Sequence, residues 1–242
     1  MKLGIFGDIH GNLPALEAVY EVLKNERCNQ LICTGDIVGY GPQPCECIDF
    51  LIDKKIDAVC GNHDEYALIG TIGSSIHSQA KEIIDWTRGL LEYRHRKWLS
   101  ELPSKIAVAG IDVVHSSHAP SPKWFYIKDK ESAEVNFRYQ KTQVSFSGHT
   151  HVPTLSTHMA GYPTKIKKLK NGRLYGGDQF MVGVGSVGQP RDKNNKPCCV
   201  VYDTKTKEVK VIRVNYDWKS VVKIMDEYGF SKELQMRIRK GV

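Results

Sequence analysis

Two rhythms of apolar and polar positions divide this chain. In the first hundred residues, short β-prone runs at residues 2–6, 31–33 and 58–60 alternate with segments of helical spacing. Leu13, Leu16, Val19, Tyr20 and Leu23 recur at that spacing, with Asn12 placed to cap the helix and Pro14 in its first turn. Residues 43–52 read as a second helix. Ser78 is placed to cap a third that reaches Arg88, Gly89 interrupts it, and another helix runs to about Glu101, before Pro103. Strands joined by helices imply parallel βαβ units.

After residue 104 the strand rhythm takes over. Residues 105–109 and 111–115 flank a Gly110-Ile111-Asp112 turn, and further strands are predicted at 144–146, 179–184, 198–203 and 209–214. Residues 218–228 read as a helix, and a short basic helix closes the chain. No repeat or low-complexity tract interrupts the pattern. The simplest architecture is one domain over 1–242, with two sheets and flanking helices and a helical tail from about residue 216.

Composition narrows the class. With 242 residues, 41% hydrophobic and 25% charged, the chain is neither disordered, collagen-like nor fibrous. No run approaches the ~20 apolar residues that span a bilayer. The opening apolar run ends at Asp8, too early for a cleavable signal, which points to a cytoplasmic protein with no membrane partner. A net charge of +7 favours anionic ligands such as phosphate esters. Lys165, Lys167, Lys168, Lys170 and Arg173 cluster, and are expected on a solvated hairpin rather than a nucleic-acid patch. The seven cysteines, Cys28, Cys33, Cys45, Cys47, Cys60, Cys198 and Cys199, lack paired C-x-x-C spacing and read as reduced thiols.

Five segments carry candidate chemistry, each after a predicted strand: Gly7-Asp8-Ile9-His10-Gly11-Asn12, Gly35-Asp36, Gly61-Asn62-His63-Asp64, His115, and Gly148-His149-Thr150-His151. The carboxyl ends of strands in open α/β sheets converge on one crevice, so these residues are expected to meet. Asp8 and His10, like His149 and His151, are two apart, and in extended backbone each pair faces one side. Two aspartates, an asparagine and four histidines form a mixed oxygen and nitrogen set. It suits Mn, Fe, Zn or Co better than Ca or Mg, and without thiolates it does not match a structural zinc site. Seven ligands exceed one tetrahedral ion and fit two ions about 3.5–4 Å apart that share a carboxylate. His77, His95 and His158 stand alone and read as surface or packed histidines. Gly183-Val184-Gly185-Ser186-Val187-Gly188 fits G-x-G-x-x-G, but Pro190 follows and no amphipathic helix opens there, so no dinucleotide fold is expected.

These segments resemble the calcineurin-like metallophosphoesterase superfamily, in order from Asp8 to His151. Gly35-Asp36-Ile37-Val38-Gly39-Tyr40-Gly41-Pro42 and Gly185-Ser186-Val187-Gly188-Gln189-Pro190-Arg191 resemble its small bacterial and archaeal phosphoesterases. The resemblance implies an α/β fold of two packed mixed β-sheets flanked by helices, a four-layer sandwich. It implies two divalent transition-metal ions, with Mn first and Fe, Zn, Co or Ni as alternatives. One would be held by Asp8, His10, Asp36 and His151, the other by Asp36, Asn62, His115 and His149, with Asp36 bridging. Ser116 stands where the family usually has glycine, which leaves His118 open as an alternative to His115. Gly183-Val184 replaces the usual Asn-Pro before Gly185.

The chemistry so implied is hydrolysis of phosphate mono- or diesters by a hydroxide that bridges the two ions. His63 is the candidate acid for the leaving alkoxide, with Asp64 orienting it or raising its pKa. Arg191 and Tyr40 are candidate substrate contacts, and Trp124, Phe125 and Tyr126 form either a stacking wall or core. Expected substrates are small phosphorylated molecules, nucleotides or other phosphate esters, or phosphoproteins. A non-catalytic metal-binding scaffold of the same fold and a nuclease are the alternatives. The family's known scaffold lacks the acid histidine that His63 supplies here, and nothing resembles a groove-reading nucleic-acid module.

Overall fold

The computed structural model describes residues 1–70, 78–121 and 123–242, without the side chains of 78 and 79. His77, and the capping role expected of the Ser78 side chain, lie outside the described residues. Strand β1 (Lys2–Phe6) is apolar on both faces: Leu3 and Ile5 enter one core and Phe6 another. A strand buried on both sides reads as a continuous apolar run, as this one does. Next come α1 (Leu13–Asn25), β2 (Gln30–Cys33), α2 (Pro44–Asp53), β3 (Asp57–Ala58), α3 (Asn62–Ile69), α4 (Ser78–Leu90) and α5 (Tyr93–Ser100). The Asn12 side chain caps α1 by accepting from the Ala15 N–H at 3.3 Å.

The remaining elements are β4 (Lys105–Val108), β5 (Ile111–Val114), α6 (Lys130–Tyr139), β6 (Val144–Ser147), β7 (Pro153–His158), β8 (Lys165–Lys168), β9 (Gly172–Arg173), β10 (Gln179–Val184), β11 (Cys198–Asp203), β12 (Glu208–Arg213), α7 (Trp218–Glu227) and α8 (Lys232–Lys240). They complete two six-stranded sheets, ordered β3-β2-β1-β11-β12-β9 and β4-β5-β6-β10-β7-β8. Both are mixed: β1, β2 and β3 run parallel while β11 is antiparallel to β1. In the second sheet β5, β6 and β10 run parallel while β7 is antiparallel to β10.

The layers follow from the cores. Leu3, Ile5, Ile32, Val113, Phe146, Val182 and Val200 fill the space between the sheets. Phe6, Cys33 and Val201 face α1, α2 and α5 on the outside of the first sheet. Val114 and Met181 face α6 on the outside of the second, through Ala133 and Phe137. Ile83 of α4 packs with Val221, Val222 and Met225 of α7 and with Phe230, Leu234 and Ile238 around α8. This is the expected α/β arrangement of two packed mixed sheets between helices.

Several expectations change. Gly89 lies inside α4, and the break falls at residues 91–92, where buried Leu91 turns into the first core. Helices α3 and α6 and strand β7 were not expected. The basic segment is exposed but is no hairpin: β8 pairs with β7 and β9 with β12, in different sheets. Leu169 and Leu174, both buried between the sheets, anchor that crossing. All seven cysteines are free thiols. Among the described residues, no helix is long and apolar enough to cross a membrane.

Candidate metal centre

The loops at the carboxyl ends of β1, β2, β3, β5, β6 and β10 meet on one edge of the paired sheets. They are tied together by backbone: Asp8 N–H donates to Gly35 O and His10 N–H to Asp36 O, both at 2.9 Å. The loop after β10 closes over them, with Gly188 N–H donating to Asp8 O at 2.9 Å and Ser186 Oγ–H to the same oxygen at 2.8 Å. Gly188 allows that approach, since a Cβ there would lie 1.8 Å from Ile9 O. Ser186 and Gly188 bracing was not foreseen: the Gly-rich run holds a loop of its own protein rather than a nucleotide.

Asp8, His10, Asp36, His149 and His151 are brought to one side by a different device from the extended pairing expected. All five have positive φ, between 49° and 66°. Left-handed backbone at residues with side chains costs about 1–3 kcal/mol each and clusters at functional sites. It turns each side chain inward while the intervening residue, such as Ile9, enters the core.

The side chains form two groups. Asp8, His10, Asp36 and His151 offer donor atoms within 4.8 Å of one another, as do Asp36, His115 and His149. Asp36 belongs to both: its Oδ2 lies 3.6 Å from His10 Nε2 and 3.4 Å from His115 Nε2. Asn62 Oδ1 lies 3.1 Å from His115 Nε2, beside the second group. His118 is not in the site. It pairs with Ser145 Oγ at 2.8 Å, so His115 is the residue the fold brings in.

Each imidazole is held from behind by a backbone carbonyl: His10 Nδ1 by Val38 O (3.0 Å), His115 Nδ1 by Thr34 O (2.8 Å), His151 Nδ1 by Gln189 O (2.5 Å) and His149 Nε2 by Trp124 O (2.9 Å). A ring nitrogen that donates to a carbonyl leaves the other as a lone pair, the usual arrangement behind a metal-bound histidine. His10 Nε2 and His151 Nε2 therefore face each other as acceptors at 3.2 Å. Burial holds both rings well below the ordinary histidine range and His149 at about 3, so they are neutral bases. Burial opposes a charge on His115 too, but Asp36 beside it prevails and raises it to about 9. Burial also pushes Asp8 up to about 7. Buried oxygen and nitrogen donors crowded in this way fit divalent cations.

His63 sits at the start of α3, with its N–H donating to Asp36 Oδ1 at 2.8 Å and its ring 4.8 Å from that of His10. Its Nδ1 has no hydrogen-bond partner, and burial lowers it to about 4. Asp64 does not orient it. The Asp64 carboxylate accepts from the N–H groups of Asp36, Ile37, Val38 and Gly61 at 2.8–3.2 Å, which binds the β2 loop to α3. The adjacent residues of a helix point apart, so Asp64 turns inward where His63 faces the site. Arg191 donates to Gln189 Oε1 at 3.0 Å and lies over the Tyr40 ring at 5.8 Å, and Tyr40 packs on His63 at 4.6 Å. Of the expected wall, Phe125 packs in the α6 core, Trp124 meets His115 edge-on at 5.5 Å, and Tyr126 stacks on His149 at 4.0 Å.

The profile of the calcineurin-like phosphoesterase superfamily domain matches residues 1–207. The chain belongs to this superfamily. The metallophosphoesterase from Sphaerobacter thermophilus, of known structure, is 30% identical, with a TM-score of 0.86 over 100% of this chain and 99% of that one. A hypothetical protein from Pyrococcus horikoshii shares the fold, at 19% identity and a TM-score of 0.81 over 100% of this chain and 98% of that one. An uncharacterized protein of Methanocaldococcus jannaschii is 33% identical over 90% of this chain and 88% of its own. The symmetrical bis(5'-nucleosyl)-tetraphosphatase of Psychromonas ingrahamii is 38% identical, but only over 32% of this chain and 29% of its own.

Proposed function

We propose that this calcineurin-like phosphoesterase hydrolyses phosphate mono- or diesters with two divalent cations, manganese first among them. The supporting observation is the pair of donor groups joined by Asp36, with every imidazole fixed from behind by a carbonyl. Asp8, His10, Asp36 and His151 would hold one cation, and Asp36, Asn62, His115 and His149 the other. Bound there, the cations would supply Lewis acidity that activates water and neutralises developing phosphoryl charge. Arg191 contributes a fixed guanidinium beside the phosphoryl oxygens, and Tyr40 supports it from below. His63, free at Nδ1, takes up a proton from solvent when an anionic phosphate ester is bound nearby and delivers it to the leaving oxygen. Asp64 acts through the backbone, by holding Asp36 and α3 in register.

The nucleotide tetraphosphatases among the relatives support a small nucleotide substrate, and seven free thiols support a reducing, cytoplasmic setting. The experiment is hydrolysis of p-nitrophenyl and bis-p-nitrophenyl phosphate, with and without manganese, alongside metal analysis. Manganese-dependent release from either ester is expected. Silence on both with metal bound would favour the scaffold reading instead.

A further inference from the structure

Tyr126 has a position that the hydrolytic chemistry does not use. Its ring stacks on His149 with centroids 4.0 Å apart and planes 21° from parallel, yet the residue remains 46% exposed. One face is thus covered by a candidate metal ligand, while the residue keeps surface open to solvent. Because His149 belongs to the second donor group, Tyr126 stands beside the same cleft rather than on an unrelated surface. Arg191 is itself restrained by Gln189 and lies over the Tyr40 ring. A phosphoryl group near Arg191 and the donor groups would therefore have a flat, amphipathic ring beside it.

We propose that Tyr126 is a specificity-determining residue that stacks a planar aromatic group carried by the substrate, which places nucleotides ahead of sugar phosphates. This rests on the phosphoesterase reading above. An exposed aliphatic side chain would cover His149 equally well, but it would not distinguish a base from a sugar. Base-on-aromatic stacking is worth on the order of tenfold or more in affinity and tolerates any base.

The test compares adenosine 5′-monophosphate with ribose 5-phosphate, which share the phosphate and the sugar carbon that bears it and differ in the base. Each is measured as a competitor of p-nitrophenyl ester hydrolysis by the manganese-loaded protein, so its inhibition constant is defined whether or not it is cleaved. Wild type is expected to prefer the nucleotide by roughly tenfold. Tyr126→Leu should bring the ratio close to one by weakening the nucleotide alone, with manganese content unchanged. Tyr126→Phe and Tyr126→Trp should keep the preference. Equal inhibition by the two ligands in wild type, or a Tyr126→Leu variant that weakens both alike, overturns the proposal. Wild-type protein inactive on both p-nitrophenyl esters would instead overturn the phosphoesterase reading on which it rests.

Discussion

His63 and Asp36 touch through one hydrogen bond, yet they should fail in different ways. The His63 ring has a free Nδ1 and belongs to neither donor group, so its removal leaves both groups intact. His63→Ala is expected to lower turnover by ~10²–10⁴ while metal content stays at the wild-type value. A variant of unchanged rate would remove His63 from the chemistry. Asp36 is shared by both groups and is the main source of the raised His115 pKa. Asp36→Asn replaces that anion with a neutral amide, and metal analysis should find the protein depleted. Full metal content would contradict the bridging role. The residue types and their spacing were readable from sequence, because Gly-Asp, Gly-Asn-His-Asp and Gly-His-Thr-His are compact motifs. How they converge was not: the positive φ at Asp8, His10, Asp36, His149 and His151 depends on loops that brace one another across the fold.

Elements with a clear apolar rhythm were legible, and those shaped by the site were not. Helix α1 combines four buried residues on one face with an Asn12 cap, and its start and apolar face were readable. Helix α3, whose sequence is NHDEYALI, has almost no apolar face. Its first turn buries Asn62, His63 and Asp64 because the centre needs them there. Strands β8 and β9 are short and mostly polar, so nothing in their pattern revealed that each joins a different sheet. Helix α4 offers a test of the opposite error. Gly89 looked like a breaker but lies within the helix, with open space where a Cβ would go. Gly89→Ala should therefore stabilise by ~0.5–1 kcal/mol, read as a rise in melting temperature with unchanged activity. A fall would mean that the glycine is needed for the turn into α5. Gly188→Ala should do the reverse, since its methyl group would collide with the Ile9 carbonyl. It is expected to lower both melting temperature and metal content by pushing the β10 loop away from Asp8.

The donor set is divided between the two sheets. Asp8, His10, Asp36 and Asn62 follow strands of the first, and His115, His149 and His151 follow strands of the second. The sheets are also joined at the centre by the His149 N–H, which donates to the Asp8 carboxylate at 3.0 Å. A cation held by this set can bind only when the sheets are packed in register, so binding and folding are linked. A ligand that binds the native state alone adds ~2.7 kcal/mol when present at a hundredfold excess over its dissociation constant. For a chain of this size that corresponds to roughly 5–10 °C in melting temperature. Chelation should lower the melting temperature by about that amount, and excess manganese should restore it. Asp36→Asn, which weakens both groups at once, should melt low already and respond little to either treatment. If the wild-type chain melted at one temperature with chelator and with manganese, the crevice would not be a cation site, and the linkage between the sheets would rest on apolar packing and the His149–Asp8 hydrogen bond.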